Sequence, residues 1–164
     1  MRCSARTAPS RRPGGSRSRA RVHTVGVEIA AAGAVVFDQA GRLLLIQRAK
    51  PPEAGRWSLP GGKCRPGEAP GRACVREVAE ETGLQVHVLR TLGRVVRPAP
   101  GGARLLIDDF LCEVTPGSAP LAAADDASAA AWFSPAELDE LPTTSGLLET
   151  LRSWGVLPPP AAGR

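Results

Sequence analysis

The sequence predicts an α+β domain in which a mixed β-sheet is held between α-helices. Three observations carry this expectation. Short runs rich in Val, Ile and Leu recur between residues 25 and 133 at irregular spacing, which argues against a regular βαβ repeat. One stretch, 70–82, has helical periodicity with both ends marked. Two further helical stretches, 134–141 and 144–157, come late in the chain. At 164 residues the chain has the length of one domain and can bury a core without disulfides or a structural metal.

The elements follow in order. "VGVEIAAAGAVVFD" (25–38) is small and apolar and favours strand, "DQAG" (38–41) is a turn signal, and "RLLLIQR" (42–48) reads as a buried strand. Together they suggest a hairpin. "AKPPEAGRWSLPGGK" (49–63), dense in Pro and Gly, reads as loop. A helix follows, with Pro70 suited to its first turn and Gly83 to its stop. "QVHVLRTLGRVV" (85–96) reads as strand, 97–103 as loop, "RLLIDDFLCEVT" (104–115) as strand, 116–128 as a long connection and "AAAWF" (129–133) as a short strand. The helix at 134–141 opens with a capping box: Ser134 at the N-cap, Pro135 next, and Glu137 three residues on.

The net charge of +5 belongs to one end of the chain. Seven arginines lie in the first 21 residues with no acid among them; taking them from the 21 basic residues leaves 14 against 16 acidic ones, a formal charge of −2. Residues 1–24 therefore read as a disordered Arg-rich tail, 25–157 as the folded domain and 158–164 as a flexible C-terminal tail. The first tail reads mainly as a dispensable extension. A transit-like presequence would need clearer amphipathic periodicity, and a nucleic-acid-binding arm would want aromatic residues that are absent from it. No nucleic-acid partner is expected of a body with this charge. Cys3, Cys64, Cys74 and Cys112 form no CxxC pair and only two histidines are present, so a zinc site is not expected and the thiols suit a reducing, cytoplasmic setting. No apolar run reaches the ~18–20 residues that span a bilayer.

The chemistry concentrates in "REVAEETGL" (76–84). Plotted at ~100° per residue, Cys74, Val75, Val78, Ala79 and Thr82 share one arc, while Glu77, Glu80 and Glu81 share another. Arg76 lies between them. Like charges at this spacing repel. The loop before the helix brings Gly61 and Gly62 near and adds a fourth carboxylate, Glu68. Carboxylates gathered in this way suit a hard cation, Mg²⁺ or Mn²⁺.

Residues 62–84, "GKCRPGEAPGRACVREVAEETGL", resemble the Nudix box, G-x5-E-x7-R-E-U-x-E-E-x-G-U with U a bulky aliphatic. Gly62, Glu68, Arg76, Glu77, Val78, Glu80, Glu81, Gly83 and Leu84 all fall in register. "WSLPGG" before it and "AAAWFSPAEL" after it extend the likeness over roughly 25–157. The resemblance implies a Nudix hydrolase: a mixed sheet sandwiched between helices, hydrolysing a nucleoside diphosphate linked to another moiety with Mg²⁺, Mn²⁺ being a substitute. It implies Glu77, Glu80 and Glu81 as metal ligands with Glu68 assisting, Arg76 orienting Glu77, and Gly62 and Gly83 shaping the loops. A homodimer would be in keeping with many relatives.

Substrate contacts are less sharply marked. Arg48, Trp57 and Arg97 could stack on a base or pair with phosphates, beside Gly61 and Gly62. Asp125 and Asp126, in the long connection, are candidates for a catalytic base on a loop, and one of Asp108 and Asp109 should face the site. Pro98 and Pro100 lie 14 and 16 residues after Leu84, near the proline associated in the family with ADP-ribose hydrolysis. ADP-ribose or a similar nucleotide-sugar is thus the first expectation. An oxidised nucleoside triphosphate, as for MutT-type enzymes, is the second, and a non-catalytic nucleotide sensor on the same fold is the alternative of another class. The chain has no tyrosine, which weighs against the dinucleoside polyphosphate enzymes.

Overall fold

The structure is a computed structural model that describes residues 26–123 and 127–159. Its strands are β1 (Glu28–Val36), β2 (Leu43–Arg48), β3 (Trp57–Ser58), β4 (Gly61–Lys63), β5 (Val86–Pro98), β6 (Arg104–Val114) and β7 (Ala127–Phe133). Its helices are α1 (Pro70–Thr82), α2 (Pro135–Leu138) and α3 (Leu147–Ser153). The expected tail at 1–24 lies outside the described residues, as does the end of the second tail from 160 on.

The strands form two sheets: a four-stranded one in the order β4-β1-β6-β5 and a three-stranded one in the order β3-β2-β7. In the first, β1 runs parallel to β6 and antiparallel to β4, so the sheet is mixed. The expected β1–β2 hairpin does not form. The turn is there, with the Asp38 carboxylate accepting from the amides of Ala40 and Arg42 at 2.9 and 2.8 Å. Beyond it, β1 and β2 share a single bridge, Phe37 to Leu43, and part into different sheets. The reason is burial. β2 sends Leu44 into one core and Leu43 and Leu45 into the other, so neither face is left for solvent and the run is apolar throughout.

Several boundaries also move. The 49–63 loop contains β3 and β4, whose few residues borrow their pairing from β2 and β1. β5 continues to Pro98, into the span read as loop, and a 3₁₀ turn at Pro100–Gly102 closes it onto β6. β7 starts at Ala127, and α2 and α3 are shorter than the patterns suggested. The capping box at Ser134 is present in both directions.

The first core lies between α1 and one face of the four-stranded sheet and includes Ala32, Ala34, Cys74, Val78 and Phe110. The second gathers Val35, Leu43, Leu45, Leu138, Leu147 and Leu151. Cys74 and Cys112, 38 residues apart in sequence, meet in the first core with their Sγ atoms 3.6 Å apart. A stitch joins distant parts of the chain. The Glu53 carboxylate accepts from the amide and hydroxyl of Ser145 at 2.9 and 2.7 Å. The Trp57 amide donates to Pro142 O and the Thr144 amide to Trp57 O, both at 2.9 Å. No helix among the described residues is long and apolar enough to cross a membrane.

Candidate active site

Helix α1 spans the residues its sequence marks. Pro70 opens it, and Gly83, at φ 71°, stops it by turning its amide back to Ala79 O at 3.0 Å. Its buried residues are Ala73, Cys74, Val78, Glu81 and Thr82. Cys74, Val78 and Thr82 form one stripe at i, i+4 against the sheet. Ala73 and Glu81 were not in the expected apolar arc. Glu81 is buried because its carboxylate has a specific partner, the Gly61 amide, at 2.8 Å.

The other three carboxylates share Arg76. Its Nε and Nη2 grip both oxygens of Glu68 at 2.8 Å, and Nη1 donates to Glu77 at 2.7 Å and Glu80 at 2.9 Å. Nη2 also reaches Lys63 O at 3.2 Å. A planar guanidinium presents enough donors for this; a lysine would not. Hydrogen bonds from Arg76, and then from the Arg65 amide, hold the Glu68 carboxyl down at about 2. The same contacts, Glu68 foremost, raise the Arg76 pKa further still. Arg65 adds a second guanidinium on Glu80, at 2.9 Å. These groups line an open cleft of about 390 Å³, floored by Gly61–Lys63 and walled by Arg65, Arg76, Glu77, Glu80 and Glu81.

The glycines before the helix are needed for close approach. A Cβ on Gly62 would lie 2.5 Å from the Glu77 carboxyl, and one on Gly61 2.3 Å from Ala32 O. Both positions belong to backbone alone. The donor set fits a hard divalent cation: four carboxylates, already deprotonated in the case of Glu68, with positive charge between them. As they stand, no three acidic, His or Cys side chains among the described residues converge as a ligand set, because Arg76 and Arg65 hold the oxygens.

The remaining candidates separate. Arg48 donates to Pro52 O within its own loop at 2.9 Å. Trp57 packs edge-on against Phe133, ring centroids 4.8 Å apart, and belongs to the second core; the expected stacking role finds its ring already engaged. Arg97 donates to Ser145 O at 2.6 Å. Asp125 and Asp126 lie outside the described residues. Asp108 and Asp109 take opposite faces of β6. Asp108 is paired with Arg94 at 2.7 and 2.9 Å on the α1 side. Asp109 is 5% exposed on the other face. Sequence reasoning noticed the pair but could not say which member mattered, since that depends on the strand's register.

The comparisons with known proteins agree with this geometry. A profile of the NUDIX domain matches residues 28–153. A protein of Mycobacterium tuberculosis named "Putative 8-oxo-dGTP diphosphatase 2" is 49% identical over 69 residues, 42% of this chain and 48% of that one. An ADP-ribose pyrophosphatase of Methanocaldococcus jannaschii is 38% identical over 109 residues, 65% of this chain and 61% of that one. The chain thus spans only about half to three-fifths of the length of these two relatives. Among solved structures, a MutT Nudix hydrolase from Burkholderia pseudomallei superposes with a TM-score of 0.65 at 29% identity, over 76% of this chain and 96% of that one. Box, cleft and fold point the same way, and the chain belongs to the Nudix hydrolase family.

Proposed function

We propose that the chain is a divalent-metal-dependent pyrophosphohydrolase acting on a nucleoside di- or triphosphate derivative. The observation that carries this is the complete set of box carboxylates around Arg76: Glu77, Glu80 and Glu81 line one open cleft with it, and Glu68 is gripped by the same guanidinium. Glu77, Glu80 and Glu81, with Glu68, are the residues that would hold Mg²⁺, Mn²⁺ serving in its place. Bound there, the metal supplies neutralised phosphate oxygens and a more acidic water.

The chain's own residues prepare that chemistry. Arg76 keeps Glu68 ionised and holds Glu68, Glu77 and Glu80 aligned against their mutual repulsion. The Gly61 amide fixes Glu81, and the bare backbone at Gly62 leaves room for the Glu77 carboxylate. The proton of the attacking water goes to a carboxylate, either a box glutamate or one of Asp125 and Asp126. A double Asp125→Asn, Asp126→Asn variant tells these apart: the loop assignment requires a loss of kcat of about 10²-fold or more, and the box assignment a near-normal rate.

For substrate, the MutT-type reading is a nucleoside triphosphate, as the mycobacterial relative's name says of that protein. ADP-ribose is the second reading, favoured by the archaeal relative's name and by Pro98 and Pro100. Incubation with Mg²⁺ and a panel of dGTP, 8-oxo-dGTP, ADP-ribose, NADH and nucleotide-sugars, with products resolved by chromatography, decides between them. Nucleotide binding with no turnover on any of the panel would overturn the hydrolase and leave the sensor.

A further inference from the structure

The face of the four-stranded sheet turned away from α1 holds a charge that the box does not use. Strand register puts Gly61, Gly33, Asp109 and Gly93 in one row across β4, β1, β6 and β5. Asp109 is thus the only residue of the row with a side chain. Its carboxylate leans over Gly33, where a Cβ would lie 2.1 Å from Oδ1. That direction is toward Gly61, whose amide holds Glu81. On the other side the Trp154 indole lies on Gly93, with Nε1 2.7 Å from where a Cβ would stand.

Asp109 is 5% exposed, and no hydrogen bond to its carboxylate is made by the described residues, whereas Asp108 next to it has a guanidinium on both oxygens. The nearest cation, Arg97, lowers its pKa electrostatically but donates its Nη2 to Ser145 O. No side-chain oxygen among the described residues is both sealed from solvent and unpartnered, so the Asp109 oxygens keep some solvent contact, and the N–H groups of a ligand can take the place of water there. Beside Asp109 the same face carries Ile29, Leu105, Ile107 and Val95, all half-buried, an apolar floor left partly open among the described residues. Gly61 and Asp109 are two strand spacings apart, ~10 Å, the length scale of a nucleoside running from the box along the sheet.

We propose that this face binds the nucleobase, lying on the apolar floor, and that Asp109 accepts two N–H donors from a guanine-type edge. The inference rests on the nucleotide-hydrolase reading above and names its substrate class. An ionised carboxylate has two acceptor oxygens and no donor. Guanine offers N1–H beside an amino group and satisfies both. Adenine and cytosine each set one amino group beside a ring acceptor that would oppose the second oxygen, and hypoxanthine lacks the amino group. Burial pushes the Asp109 pKa up to about 7, so the group is mostly ionised at pH 8. Because 8-oxoguanine keeps the same N1–H and amino edge, Asp109 selects guanine bases as a class, whatever their state at C8.

The test is equilibrium binding of GMP, IMP and AMP to the full chain at pH 8 by titration calorimetry, together with Mg²⁺-dependent hydrolysis of dGTP and dITP. GMP is expected to bind about 10- to 100-fold more tightly than IMP, and dGTP to be preferred over dITP chiefly through KM. Asp109→Asn should bring GMP and IMP within about threefold of each other. Equal binding of GMP and IMP by the wild-type chain, tighter binding of AMP, or an unchanged preference in Asp109→Asn would each overturn the proposal. The wild-type GMP/IMP ratio needs no variant, so a poorly folding Asp109→Asn does not blunt the test. Guanine preference without turnover removes only the hydrolase reading, and turnover without that preference removes only this one.

Discussion

The two faces of the four-stranded sheet treat negative charge in opposite ways. On the α1 side, Glu68, Glu77, Glu80 and Asp108 are crowded, yet each has a guanidinium on it. On the other side Asp109 is 5% exposed and has no protein donor among the described residues, only the solvent its oxygens still touch. The crowded face is electrostatically settled and the sparse one is not. What decides the cost of a charge here is its hydrogen-bond accounting, and the number of neighbouring charges matters much less.

The largest effect should come from breaking the crowded face where it meets the substrate. Glu81→Gln keeps an oxygen for the Gly61 amide, so the fold should hold within a few degrees of Tm, while kcat falls by ~10²-fold or more. A rate near wild type in steady-state assays would show that Glu81 is not a ligand. Next comes the cation itself. Arg76→Ala should cost metal-free protein ~2–4 kcal/mol by denaturant unfolding, because three carboxylates lose their shared partner. Added Mg²⁺ should restore part of that loss, and no restoration would mean the carboxylates do not share a cation.

The lone charge gives a pH signature. Asp109 has a folded pKa of about 7 against an ordinary value of 3.8, so folding favours its protonated form. The penalty is absent below about pH 4, grows between pH 4 and 7, and is complete above 7. Asp109→Asn should therefore stabilise the chain above pH 7, by at most ~4 kcal/mol, and change little at pH 4; thermal unfolding across that range measures it. The smallest effect belongs to its neighbour. Asp108→Asn removes a partly exposed ion pair with Arg94 and should move Tm by no more than about 4 °C, with little change across that pH window above about pH 5. Equal pH responses at the two positions would erase the contrast between the faces.

Much of this was legible before any coordinates. Helix α1 and its stop at Gly83 were readable because the residues that make it a helix also carry the box. Arg76 was readable as an orienting group from its place between the two arcs. The parting of β1 and β2 was not, since the turn at Asp38 is compatible with a hairpin and only the double-sided burial of Leu43, Leu44 and Leu45 separates the strands. β3 and β4 were hidden because strands this short have no periodicity and exist through their partners. Asp109 was hidden for a similar reason: its burial follows from pairing with Gly33 and Gly93, residues far away in sequence. Trp57 shows what spacing cannot reveal: its packing partner in space, Phe133, is 76 residues away in sequence.

The stitch between Glu53–Trp57 and Pro142–Ser145 reaches beyond packing. It fastens the segment running from β2 into β3 to the segment between α2 and α3 without passing through the connection after β6. A single backbone cut within 116–123 would leave residues on either side still joined through Glu53, Ser145, Trp57 and Pro142, and through the long β2–β7 pairing. A chain nicked there is therefore expected to stay folded as one particle, which gel filtration after limited proteolysis would check.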